Sequence, residues 1–281
     1  MFNAVGLVAR IDRKTALGLA TKLVAHLEAR GLDIFLEPEL ARHINRTENT
    51  VPLKKMKADL IAIVGGDGTI LRTCLQIPKP EPPILAINMG VRGFLAEVNP
   101  EEGLDALDKC LEGRFTLEHY MKLASSVAGT RLPDALNEIF FTSHMPAKLL
   151  HVRISRDDES IAECRADGVV IASQVGSTGY SLSGGGPVLD PEVSAFVLTP
   201  ICPLTKFHPV VFSAESTIRI ELLKPKRGVV VIDGDYQMSI EPESPHITVK
   251  KSEYESSFVR FKGSFYNRLK GRLLFSRGEG F

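Results

Sequence analysis

Ile61-Ala62-Ile63-Val64-Gly65-Gly66-Asp67-Gly68-Thr69-Ile70-Leu71 is the stretch whose reading decides the fold. Its first four residues are apolar and rich in isoleucine, the pattern of a buried strand. The chain then bends through Gly65, Gly66 and Gly68, where glycine allows a sharp turn and a close approach to another group, and resumes as a helix. Amides freed at such a strand-to-helix turn point outward with the helix dipole behind them, which suits phosphate. Asp67 stands alone as a carboxylate in this anion-friendly loop. A negative side chain does not help to hold phosphate. It suits a base that takes a proton from an attacking hydroxyl, or a tether for magnesium. The plainer alternative is a tight turn in a doubly wound sheet.

Outward from this loop, strands and helices alternate. Residues 2–9 read as a strand and not as a signal peptide, because no basic segment precedes a short apolar run. Asp12 suits the N-cap of a helix running to about Arg30, with Leu17, Ala20, Val24 and Leu27 on one face. Gly31 ends it, Leu32–Leu36 forms a second strand, and 38–57 reads as loop with short helical turns. Leu60–Val64 is the third strand, and Ile84–Asn88 follows a proline-rich connection as the fourth. This succession indicates a parallel sheet with helices on its faces. Asn88-Met89-Gly90-Val91-Arg92-Gly93-Phe94-Leu95 is a second glycine-bearing turn at a strand's carboxyl end, the edge where open α/β sheets bind ligands.

Pro100–Leu111 reads as a helix closed by Gly113, and after Phe115 the character changes. Strands are expected at 122–128, 136–141, 149–155, 161–165, 169–172, 195–199, 217–222, 229–232 and 246–249. Ile218, Ile220 and Leu222 alternate with Arg219 and Glu221, as in a sheet exposed on one side. The expected organisation is an N-terminal doubly wound, Rossmann-like α/β domain over 1–114, closed by a C-terminal tail at 262–281 that includes a helix or extended run from Tyr266 to Leu274. A mostly-β, sandwich-like domain over 115–261 follows it.

Composition narrows the function. The 281 residues are 44% apolar and 24% charged, and 34 basic residues balance 34 acidic ones. A soluble globular protein is expected, with no nucleic-acid groove and no affinity for an anionic membrane surface. No apolar run approaches the roughly 18 residues of a membrane span. Cys74, Cys110, Cys164 and Cys202 lack the spacing of a metal pair, so free thiols in a reducing cytoplasm are expected.

Two further stretches carry polar chemistry. Asn137-Glu138 places an amide beside a carboxylate, which suits the hydroxyls of a ribose and the edge of an adenine, although such a pair is also ordinary surface polarity. Asp167 to Pro187 runs from a β-branched strand into Gly176-Ser177-Thr178-Gly179-Tyr180-Ser181-Leu182-Ser183-Gly184-Gly185-Gly186. Ser177 or Thr178 suits the cap of a short helix. The small hydroxyls gathered around one tyrosine read as a ligand pocket and not simply a corner of a sandwich.

Gly65–Thr69 resembles the loop of a kinase superfamily that includes NAD kinases, lipid kinases and phosphofructokinases. Asn88–Leu95 resembles the NMGxxGFL stretch of NAD kinases. The pair Asn137-Glu138, the aspartate-led strand and GSTxYxLSxGGP resemble that family specifically. The likeness covers most of the chain. It implies a kinase that phosphorylates the adenosine 2′-hydroxyl of NAD to give NADP, with ATP or another phosphate donor and with Mg2+ or another divalent metal carried mainly by the donor phosphates. It implies Asp67 as catalytic base and Gly65, Gly66, Gly68, Thr69 and Arg72 as donor-binding residues. The implied NAD-binding set is Asp67, Gly68, Phe94, Asn137, Glu138, Asp167, Thr178, Gly179, Tyr180 and Ser183. Asp167 would reach the nicotinamide end, in the same or a neighbouring subunit, within a homodimer or homotetramer.

Three departures stand out. Ala172-Ser173-Gln174-Val175-Gly176 replaces the usual Ser-Thr-Pro-Thr-Gly, Gly179 replaces an alanine, and Leu204 and His208-Pro209 occupy a loop where the family often has His and later Arg-Pro. The rival readings are a kinase of a lipid, sugar phosphate or other small metabolite, disfavoured for lipids by the lack of a basic amphipathic segment, and a non-catalytic dinucleotide sensor, disfavoured by Asp67.

Overall fold

The computed structural model describes residues 2–90, 93–145, 147–204, 206–261, 265, 266 and 269. The chain divides into two compact units, Met1–His119 with Ser256–Phe281, and Tyr120–Glu255.

The first unit contains β1 (Ala4–Ala9), α1 (Lys14–Glu28), β2 (Asp33–Leu36), α2 (Pro38–His43), β3 (Leu60–Gly65), α3 (Asp67–Gln76), β4 (Ile84–Asn88) and α4 (Gly103–Leu111). Its strands form a parallel sheet in the order β2-β1-β3-β4. Every residue of β3 is buried, as a parallel strand covered on both faces requires. Leu7, Leu60 and Val64 pack with Leu23 and Leu27 of α1 and Leu107 of α4 in one core. The strand order reverses about β1, which pairs with β2 on one side and β3 on the other. The carboxyl ends of β1 and β3 therefore lie side by side at a switch point, where sheets of this kind leave a crevice for a ligand.

The remaining strands are β5 (Thr116–Val127), β6 (Thr130–Arg131), β7 (Glu138–Ser143), β8 (Leu150–Arg156), β9 (Glu159–Ala166) and β10 (Gly168–Ala172). After α5 (Tyr180–Ser183) come β11 (Ala195–Ile201), β12 (Val210–Ser213), β13 (Ile218–Lys224), β14 (Gly228–Ile232), β15 (Tyr236–Ile240) and β16 (His246–Arg260). The second unit contains a six-stranded antiparallel sheet ordered β12-β11-β10-β7-β14-β15. A separate antiparallel set is ordered β16-β13-β8-β9. Ile218, Ile220 and Leu222 are buried while Arg219 is exposed, the alternation expected from the sequence.

Several local readings are corrected. Asp12 does not cap α1, whose N-cap is Arg13, because the Asp12 carboxylate is taken by Arg10 at 2.5 and 2.6 Å. Neither Ser177 nor Thr178 caps α5, whose N-cap is Gly179. Their hydroxyls donate instead to the carbonyls of Gln174 and Val175 within the preceding turn. The strand expected at 246–249 extends to Arg260, and β12 and β15 were not anticipated. Lys250–Glu253 is too polar to read as strand, but ladder bonds come from neighbouring strands and not from local pattern. β12 and β15 are short edges with one partner each, which leaves little hydrophobic alternation to read. Most of the expected closing segment, Tyr266–Leu274 within 262–281, lies outside the described residues.

Candidate active site

The glycine loop expected to bind the donor lies in the first unit. Thr69 N–H makes the first intrahelical bond of α3, to Gly66 O at 3.0 Å. The amides of Asp67 and Gly68 precede that bond, so they are among the helix N-terminal donors that need an outside partner. Gly66, Gly68, Thr69 and Arg72 line a cleft of about 350 Å³ with Ala9 to Asp12 and Glu39, at the switch point between β1 and β3. Thr69 is turned inward: its side chain fills the space that a Cβ on Gly65 would need. Arg72 donates both guanidinium nitrogens to the buried carboxylate of Glu37, one at 3.1 Å.

Asp67 is held by the second glycine turn. Phe94 N–H donates to Asp67 Oδ2 at 2.9 Å and Leu95 N–H to Oδ1 at 3.2 Å. A Cβ on Gly93 would overlap Oδ1, so the turn passes as close to the carboxylate as glycine permits. The turn is braced in its own right. Met89 N–H donates to Gly65 O at 3.1 Å, Arg13 reaches Met89 O at 3.0 Å, and Arg260 reaches Leu95 O at 2.9 Å. Phe94, expected at the dinucleotide, meets Asp67 through its amide. Its ring is buried edge-on to Phe265, 5.1 Å between centroids.

The residues expected to bind the acceptor lie in the second unit. Asn137 Oδ1 and Glu138 Oε2 are buried and have no hydrogen-bond partner among the described residues. Burial, with the charge of Asp233 second, pushes the Glu138 carboxyl up to about 7. Gly179 lies over both side chains: a Cβ there would sit 3.2 Å from Glu138 Oε2 and 3.7 Å from Asn137 Nδ2. The alanine usual at this position would therefore crowd the glutamate. A Cβ on Gly176 would overlap the Asn137 carbonyl itself, which makes glycine obligatory in this turn. Tyr180 is 41% exposed and packs edge-on to Phe140 at 5.2 Å. Its phenol is raised first by burial and then by Cys202, Asp167 and Glu138. Asp167 and Ser183 are exposed, whereas Thr178 is buried with its hydroxyl on Val175 O at 2.9 Å. The altered turn is held by Gln174, whose amide nitrogen donates to Val193 O at 2.9 Å.

Sequence reading missed four residues here. Glu37 and Arg260 brace the loops expected at the donor, while Asp233 and Cys202 lie near the residues expected at the acceptor. Glu37 and Arg260 are charged residues in sequence positions that read as surface, and only their burial distinguishes them. Asp233-Gly234 reads as an ordinary hairpin turn.

Residues 5–115 match the family model of the ATP-NAD kinase N-terminal domain, and residues 136–261 that of the ATP-NAD kinase C-terminal domain. The chain is similar to an NAD kinase of Methanothermobacter thermautotrophicus, 42% identical over 273 residues that cover 96% of each chain. The crystal structure of an NAD kinase from Archaeoglobus fulgidus in complex with ATP matches with a TM-score of 0.78 at 30% identity, over 95% of this chain and 98% of that one. Yeast NADH kinase complexed with NADH matches with a TM-score of 0.88 over 99% of this chain and 89% of that one. At 24% identity this likeness shows the fold alone.

Proposed function

The chain belongs to the ATP-NAD kinase family, and from that premise we propose that it transfers the terminal phosphoryl group of ATP to the adenosine 2′-hydroxyl of NAD, giving NADP. The bond from the 2′-oxygen to the γ-phosphorus forms as the bond from that phosphorus to the β,γ-bridging oxygen breaks. Asp67 takes the 2′-hydroxyl proton, because an alcohol is a poor nucleophile until that proton leaves. The turn at Phe94 and Leu95 fixes the direction of the carboxylate, and fixed geometry is where much of the rate gain of such a reaction arises. The donor phosphates take the first-turn amides of α3 and the Arg72 guanidinium. In the other unit, Asn137 and Glu138 take the adenosine, with Gly179, Tyr180 and Ser183 along the dinucleotide and Asp167 toward the nicotinamide end.

The observation that carries the acceptor is the pair of buried oxygens on Asn137 and Glu138 that lack partners. Buried polar atoms are nearly always paired, so two neighbours left open are suited to a ligand's hydroxyl and amino groups. Mg2+, carried mainly by the donor phosphates, would supply charge neutralisation there. It is commonly held by one or two carboxylates together with substrate phosphates. The donor cleft is lined by Glu39 and by Asp12, the latter already engaged by Arg10, and no three-ligand cage occurs among the described residues. We place the enzyme in the cytoplasm, a reading supported by free cysteines at 74, 110, 164 and 202. No helix of the described residues is long and apolar enough to cross a membrane. We read self-association to a dimer or tetramer through the second unit, supported by the open edge strand β12 and its exposed Val211.

The test is turnover of purified protein with ATP and Mg2+ against NAD, NADH, diacylglycerol and fructose 6-phosphate. NADP formation is the expected product. NAD binding by calorimetry without turnover would make the chain a sensor, and phosphorylation of another acceptor alone would move it to a different kinase class.

A further inference from the structure

Asp233 directly follows β14 and is 6% exposed, and no step of the proposed reaction uses it. Its backbone has a φ of 48°, a left-handed conformation that an aspartate adopts only at a cost. That backbone aims the carboxylate at a segment about 95 residues earlier in the chain. Oδ2 accepts Leu136 N–H at 2.7 Å, and Oδ1 accepts Asn137 N–H at 2.8 Å and Glu138 N–H at 2.9 Å. The Asp233 N–H donates in return to Glu138 O at 3.0 Å. The sheet ladder of β7 starts only at Glu138, which pairs with Ala172 of β10, so these bonds supply the partners that Leu136 and Asn137 lack and anchor the first ladder residue as well. Opposite them, Ser173 Oγ donates to Leu136 O at 2.5 Å and Ser173 N–H to Asn137 O at 2.9 Å. Burial raises the Asp233 carboxyl to about 6, against the pull of the three amides and of the buried Lys122 charge.

The three amides belong to the residues that lead up to and carry the unpaired oxygens Asn137 Oδ1 and Glu138 Oε2. We propose that Asp233 is a positioning residue for the acceptor: its carboxylate fixes the backbone of Leu136, Asn137 and Glu138 so that the two open side-chain oxygens face the adenosine. This rests on the reading of Asn137 and Glu138 as the acceptor pair. Backbone fixed by charge-assisted bonds presents both side chains already oriented, and preorganisation of this kind lowers the ordering cost of binding. Asp233→Asn keeps the shape but places an amide nitrogen against at least one of three N–H donors. The segment then loses a bond and gains a repulsion, while the donor loop is untouched.

The experiment compares wild type, Asp233→Asn, Asn137→Ala and the double variant by calorimetry with NAD and with ATP, alongside thermal melting. The expected result is a rise of about ten- to a hundredfold in the NAD Kd for Asp233→Asn, an ATP Kd within about threefold of wild type, and a double variant well short of additive, since residues acting as one unit couple. An NAD Kd within threefold of wild type overturns the proposal. So does a parallel loss of NAD and ATP binding with a collapsed melt, which marks a merely structural residue, and so does full additivity. Hydrogen exchange on ligand-free wild type decides the matter if Asp233→Asn does not fold: the amides of Leu136, Asn137 and Glu138 must exchange slowly, and exchange at exposed-loop rates refutes their bonds to Asp233. If those amides are protected and wild type fails to bind NAD, the acceptor reading falls while the bonds to Asp233 stand.

Discussion

The two units use the same hydrogen bond in opposite senses. At Asp67 the carboxylate proposed as the base is held by the backbone amides of Phe94 and Leu95. At Asp233 a silent carboxylate holds the backbone amides of Leu136, Asn137 and Glu138, and the groups proposed to meet the ligand are the side chains of that backbone. In the first unit the glycine turn serves the acid. In the second the acid serves the turn. The difference follows from what each half must present: a charge to a reacting proton, or a pattern of uncharged acceptors and donors to a base and a sugar. A charge is best aimed by neutral dipoles, whereas a pattern is best aimed by anchoring the main chain that carries it.

Asp67→Asn should break the first half most severely. Loss of a general base typically costs ~10²–10⁴ in rate, so kcat for NADP formation should fall by that amount. ATP affinity should hold or tighten as repulsion of the phosphates is relieved, and the thermal midpoint should barely move. A variant that keeps more than about a tenth of wild-type kcat removes Asp67 from the chemistry.

Gly93→Ala and Gly176→Ala separate a side-chain obstacle from a backbone one. At Gly93 the added methyl meets the Asp67 carboxylate, and at Gly176 it meets the Asn137 carbonyl. The first should lower kcat by about 10²-fold, the cost of misplacing a catalytic group by about 1 Å, with little change in melting. The second should destabilise the fold by ~1–3 kcal/mol, read as a lower melting temperature. If the two exchange behaviours, the contrast between the halves is wrong.

Asn137→Ala should raise KM for NAD by ~10–100-fold and leave KM for ATP unchanged, because a site built on hydrogen bonds loses about 1–3 kcal/mol when one partner goes. Equal changes in both constants would break the division of labour between the units.

The smallest effect is in pH. The Glu138 carboxyl lies at about 7, above its ordinary 4.5, because it is buried and faces Asp233. If its ionised form receives the ligand hydroxyls, KM for NAD should fall as pH rises from 6 to 8, by at most about tenfold, and Glu138→Gln should abolish that slope. Stability runs the other way. The folded chain holds this proton more tightly than the unfolded one, so the stabilisation is full below 4.5 and lost as pH passes through about 7. Asp233, raised to about 6 from 3.8, acts in the same direction. Ligand-free melting temperature should therefore decline between pH 5 and pH 8, and Glu138→Gln should gain up to roughly 3 kcal/mol at pH 8. A ligand-free protein equally stable at both values would remove the buried charge from the account.

The sequence by itself determined the architecture of the first unit and the chemistry of its loop. Buried parallel strands read as apolar runs, and a strand-to-helix turn needs glycine at defined positions, so Leu60–Thr69 and Ile84–Leu95 declare the fold locally and point to the role. It also determined the alternating strands of the second unit, and the resemblance pointed to Asn137 and Glu138. Tertiary structure alone decided what holds these groups. Asp233 stands in a turn that looks like any Asp-Gly hairpin, and Glu37 and Arg260 look like surface charges. Their partners are 35 to 165 residues away in the chain. The same reasoning accounts for β16, whose polar middle reads as loop. Local pattern reports which face of an element meets water. It carries no record of which distant group will meet a buried carboxylate, because that pairing exists only once the chain has folded.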